Sequence, residues 1–63
     1  MKLYEVPNNT IIDVSHLDLV DEDTGEKIDT LDFQHIDGMY SLCYWNGKYV
    51  HLMATTEVKI KDH

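Results

Sequence analysis

The chain contains no arginine; its five basic residues are all lysines. Arginine is the side chain best suited to bidentate contacts with phosphate and guanine. The net charge of −7 is also the reverse of the basic footprint that a nucleic-acid reader carries. Nucleic acid is therefore not the expected partner, although lysines and aromatics alone can form a weak single-strand platform. Cys43 is the only cysteine, so no internal disulfide can form, and a lone thiol fits a reducing compartment. No apolar run approaches the roughly 20 residues that cross a bilayer. Met1-Lys2-Leu3-Tyr4-Glu5 lacks the apolar stretch and cleavage site of a secretory leader. These absences point to a soluble, cytoplasmic protein without a membrane partner.

Ligand sets for metals and catalytic motifs are missing as well. The soft donors include His16, His35, His51 and Cys43, and the sequence holds no Cys-x-x-Cys or His-x₃-His pair. Asp21-x-Asp23-x-Gly25 is similar to the start of a calcium loop. It places Gly25 at position 5, Glu26 at position 6 and Asp32 at position 12, where an oxygen ligand, a glycine and a glutamate are needed. There is no Gly-rich phosphate loop and no Gly-x-Ser-x-Gly. Asp32 and Asp37 flank a candidate strand, where acids are commonly just solvated. No cofactor, metal or catalytic residue is expected, and the chain is not read as an enzyme.

What is present is acid, aromatic and β-branched. Nine acids and one base, Lys27, lie between Asp13 and Asp37, a local charge of −8. Trp45-Asn46-Gly47-Lys48 holds an Asn-Gly pair between two β-rich runs, the strongest short hairpin signal because both central residues of a type I′ turn need positive φ. Such a turn fixes the register. Trp45 faces Lys48, Tyr44 faces Tyr49, Cys43 faces Val50, Leu42 faces His51, Ser41 faces Leu52 and Tyr40 faces Met53. One face then carries Met39, Ser41, Cys43, Trp45, Val50, Leu52 and Ala54. The other carries Tyr40, Leu42, Tyr44, Tyr49, His51 and Met53. Cys43 and His51 fall on opposite faces and cannot share a metal or form a thiol–imidazole pair. Cys43 is expected to be a small buried hydrophobe.

Other strands are expected at Leu3–Val6, Thr10–Val14, Leu31–Ile36 (with Leu31, Phe33 and His35 on one face) and Glu57–Lys61, where Val58 and Ile60 point inward. Asp37-Gly38 reads as a tight turn or bulge. Residues 15–30 are read as a long acidic loop around Asp23-Thr24-Gly25-Glu26. One helical turn at Ser15 is the alternative there. With few apolar anchors, the part of this loop from about Asp18 to Asp29 is expected to be the most mobile internal segment. The fold class is all-β: a small five-stranded SH3-like barrel with one long acidic loop, an OB-like barrel being second. Sixty-three residues form one domain. A chain this short buries only about 60% of its unfolded surface, so the core is thin.

The segments His35-Ile36-Asp37-Gly38-Met39-Tyr40-Ser41-Leu42-Cys43 and Val50-His51-Leu52-x-Ala54-x-Thr56-Glu57-Val58 resemble a group of short tailed-bacteriophage proteins, which also begin with a Met-Lys-Leu-Tyr-like start. The resemblance covers the N-terminal segment and the C-terminal half, not the acidic stretch. It implies a phage origin and action inside the infected cell, and it supplies no catalytic residue.

The functional expectation is a non-enzymatic interaction module that binds a host or phage protein. Tyr40, Tyr44, Trp45, Tyr49, His51 and Met53 are the candidate contact residues, since Tyr and Trp combine rigid area with a polar handle. The alternatives are an oligomer that sequesters a nucleotide signal and an acidic DNA mimic. Because the hairpin is apolar on both faces, a homodimer through the tyrosine face is a further expectation.

Overall fold

A computed structural model of the protein describes residues 1–61. Among the described residues there are seven strands: β1 (Thr10–Asp13), β2 (Leu19–Val20), β3 (Lys27–Ile28), β4 (Thr30–Asp37), β5 (Tyr40–Trp45), β6 (Lys48–Val50) and β7 (Lys59–Ile60). The main sheet has the order β6-β5-β4-β1-β7, and each of its neighbouring pairs is antiparallel. Strands β2 and β3 form a separate two-stranded hairpin. No helix among the described residues is long and apolar enough to cross a membrane.

The central meander follows its turn residues. Asn46 (φ 47°) and Gly47 (φ 83°) both take positive φ, as a type I′ turn requires. The register Trp45↔Lys48, Tyr44↔Tyr49 and Cys43↔Val50 results. Strand β6 stops at Val50, yet the register runs on through the Ser41–Leu52 hydrogen bond (2.7 Å) and the Tyr40↔Met53 bridge. Between β4 and β5, only Gly38 of the two turn residues has positive φ (63°), which fits a type II′ turn.

A bulge corrects the expected face of β4. The pairing shifts between Phe33 and His35, so Gln34 is an extra residue. An inserted residue reverses the side-chain alternation beyond it. Leu31 and Phe33 therefore point into the core, His35 turns outward opposite Leu42, and Ile36 takes the inner position beside Ser41.

The N-terminal run is not a strand. Leu3–Glu5 forms a 3₁₀ turn that buries Leu3 and Val6 together. A 3₁₀ turn aligns residues three apart, whereas a strand would have put Leu3 and Glu5 on one side. Leu3 and Tyr4 nonetheless donate backbone hydrogen bonds to Thr56 and Ala54 (2.9 and 3.0 Å), and Lys2 bridges Glu57. Residues 51–58 thus run from β6 at one sheet edge to β7 at the other, held under the N-terminal segment. Strand β7 is shorter than the expected Glu57–Lys61. Val58 is fully buried, while Ile60, paired with Ile12 at the open edge, stays 44% exposed.

The core gathers Leu3, Val6, Ile12, Val14, Ile28, Leu31, Phe33, Cys43 and Val58. It draws on every part of the chain, which is how so thin a core closes.

Candidate functional site

The acidic stretch is structured rather than a plain loop. Ser15–Leu17 makes one 3₁₀ turn, ended by Asp18 in the left-handed region (φ 52°). Val14 stands at its N-cap position, not Ser15; Ser15 donates instead to Asp13 (2.7 Å). Two hydrogen bonds from Ser15 hold the Asp13 carboxyl below its ordinary range. The β2–β3 hairpin follows, and Asp21 organises its tip. The Asp21 N–H donates to the Glu26 carbonyl and its carbonyl accepts from Gly25, both at 2.8 Å. Its carboxylate accepts from the Thr24 hydroxyl (2.9 Å) and the Asp23 amide (3.3 Å).

The third partner of Asp21 comes from the other hairpin. Lys48, directly after the Asn46-Gly47 turn, places Nζ 3.0 and 3.1 Å from the two Asp21 oxygens and 2.7 Å from Asp23 Oδ2. Lys48 chiefly holds the Asp21 carboxyl below the usual carboxylate range. Asp23 first and Asp21 second hold the Lys48 ammonium above the usual lysine range. The acidic hairpin is thereby tied to β6 with a groove of about 350 Å³ between them. Leu19, Val20 and Ile28 line one side with Asp21, Glu22 and Asp23; Trp45, Lys48, Tyr49 and Val50 line the other.

The six expected contact residues divide between two surfaces. Trp45 lies on the core side of β5, half-buried against the core, and it lines the groove. Tyr40 (52% exposed), Tyr44 (39%), Tyr49 (61%) and Met53 (50%) stand out on the far face with exposed His51 and half-buried Leu42. Tyr44 and Tyr49 meet edge to face, with ring centroids 5.5 Å apart and planes at 70°. Tyr49 alone belongs to both surfaces. On the far face, β4 sets Asp32 beside Tyr44, His35 beside Leu42 and Asp37 beside Tyr40.

Cys43 is fully buried, and its burial pushes the thiol pKa up. His51 lies on the opposite face and donates from Nδ1 to the Ser41 carbonyl (3.0 Å). Nδ1 carries the proton in that bond, since a carbonyl can only accept. Among the described residues, no three of His, Cys, Asp and Glu gather where they could hold a metal ion. Sequence reasoning missed the Lys48–Asp21–Asp23 clamp. The turn signal at Asp23-Thr24-Gly25-Glu26 was legible, but the lysine partner of Asp21 is 27 residues away and no local pattern announces it.

No family model, curated protein or solved structure matches this chain.

Proposed function

We propose that this chain is a non-enzymatic, phage-encoded interaction module that binds a host or phage protein in the cytoplasm of the infected cell. The observation that carries the reading is the far face of β5–β6. Tyr40 and Tyr44 on β5 and Tyr49 on β6 are exposed on one face together with Met53, the bridge partner of Tyr40, and among the described residues no charged side chain stands between them. Clustered tyrosines and methionine give interfaces rigid and adaptable apolar area respectively. The phage origin rests on the resemblance of residues 35–43 and 50–58 to short tailed-bacteriophage proteins.

A foreign protein suits this face better than a second copy. Asp32 and Asp37 flank it on β4, and two copies of a chain of net charge −7 would bring those acids together. A nucleotide suits the molecule less well, because Lys48 is already held by two carboxylates and the groove beside it is acidic. An SH3-like barrel is part of the same proposal. Its support is the strand order β7-β1-β4-β5-β6, with the β2–β3 hairpin inserted between β1 and β4 and residues 51–58 spanning the sheet edges.

The test is affinity capture from infected and uninfected host lysates, with co-purifying material identified by mass spectrometry. A discrete protein retained by the native chain and lost with Tyr44→Ser/Tyr49→Ser, while circular dichroism stays unchanged, is the expected result. Recovery of a nucleotide, or retention of the same proteins by the variant, would overturn the reading. A dimer in sedimentation that Tyr49→Asp dissolves would make the second copy the occupant instead.

A further inference from the structure

We propose that the groove between β2–β3 and β5–β6 is a second binding site, one that takes an extended, cationic segment of a partner protein as an added strand on β6. Three independent observations converge there.

The first is an open backbone edge. Strand β6 pairs with β5 on one side only. In antiparallel sheets, alternate residues exchange hydrogen bonds with the neighbouring strand and those between them point away. The two-residue turn makes Lys48 and Val50 bonding positions, and the Ser41–Leu52 bond confirms the phase. Tyr49 is therefore a non-bonding position, with its N–H and C=O directed outward from the sheet. The close approach of the Tyr44 and Tyr49 rings agrees with that assignment, because side chains are nearer at non-bonding pairs. Tyr49 lines the groove, so the edge available for strand addition is the wall of a cleft.

The second observation is apolar surface for side chains. Val20, 55% exposed, and half-buried Leu19 face the groove from the acidic hairpin, and Trp45 from β5. Alternate side chains of an added strand would fall against them.

The third is charge. Among the described residues Lys48 is the one cation lining the groove, and Asp21 and Asp23 neutralise it. Glu22 also lines the groove, and its carboxylate has no bonded partner among the described residues. The groove keeps a net negative charge beside Trp45. Lysine or arginine meets both needs there, through carboxylate pairing and cation–π contact. Acidic or phosphorylated segments are excluded by the same charges.

The experiment is an amide-correlation NMR titration of the isotope-labelled full chain. The probes are two capped peptides, Val-Arg-Val-Arg-Val and Val-Glu-Val-Glu-Val. Saturable shifts are expected at the Tyr49 amide, the Trp45 indole N–H and the Glu22 amide with the arginine peptide and not with the glutamate peptide. Glu22→Gln, at an exposed position, should weaken binding about two- to fivefold, the range of one exposed ion pair. N-methylation of the central peptide residue should weaken it further by removing strand pairing. Equal response to both peptides, an unaltered Glu22→Gln affinity, shifts centred on Tyr40 and Met53, or no saturation would each overturn the site. The outcome leaves the far-face reading untouched, since Tyr40 and Met53 report on that surface separately.

Discussion

Ser41 is the residue on which the second half of the main hairpin turns. Its hydroxyl donates to the Leu52 carbonyl (3.0 Å) and accepts from the Leu52 N–H (3.2 Å), doing with a side chain what the backbone does elsewhere in the ladder. Its carbonyl, freed from that task, accepts from His51. The residue is fully buried. Ser41→Ala strands the Leu52 amide without a partner, and a buried unsatisfied group costs about 1–3 kcal/mol. A urea melt should show that loss, whereas a cost near zero would mean that another acceptor replaces the hydroxyl. Beside it, Cys43 is sealed in the core with a raised thiol pKa. Thiols react as thiolates, so a thiol reagent should modify Cys43 only as fast as the protein opens. Rapid labelling of the native chain would contradict the burial.

At the scale of elements, the hairpin was legible because its information is local. Asn46-Gly47 sets the turn, the turn sets the register, and the register sorts Cys43 from His51. Gly47, at φ 83°, occupies the left-handed region with open space where a Cβ would stand. Gly47→Ala should therefore cost about 1–2 kcal/mol from backbone strain alone. Calorimetry measures it, and a neutral result would mean that the turn has another conformation. The elements that were not legible each depend on something distant or subtle. Leu3 and Val6 carried a three-residue spacing, but four residues are too few to separate it from a strand. Nothing in Leu31–Ile36 marks Gln34 as the extra residue, so His35 was assigned to the wrong face. Lys48 ties the tip of the acidic hairpin to the main hairpin. Lys48→Met should therefore reduce hydrogen-exchange protection at the Asp21 and Gly25 amides while residues 40–45 keep theirs. Unchanged protection would show that the Asp21–Glu26 turn stands by itself.

For the whole molecule, the clamp sets a pH window. The folded pKa of Asp21 lies below its unfolded value, so its contribution is complete above the unfolded value, about 3.9, and is lost as pH falls through the folded one. The folded pKa of Lys48 lies above its unfolded value, so that contribution is complete below about 10.4 and is lost as pH rises through the folded one. The difference in melting temperature between the native chain and Lys48→Met should form a plateau between these limits and shrink at both ends. A pH-independent difference would assign the Lys48 effect to packing instead.

The N-terminal turn has a consequence for the order of events in assembly. Leu3 and Tyr4 are held by Thr56 and Ala54, roughly fifty positions further along. Contacts of such separation are formed slowly, because a long stretch of chain must be confined before they give any return. A ribosome delivers Leu3 and Val6 long before Ala54 and Val58. Until then Leu3 and Tyr4 lack their backbone partners, the core lacks Val58, and the sheet has no strand at the β7 edge. The N-terminal turn can take its final place only after residues 51–58 have emerged, so a chain cut before Ala54 should lose the backbone partners of Leu3 and Tyr4.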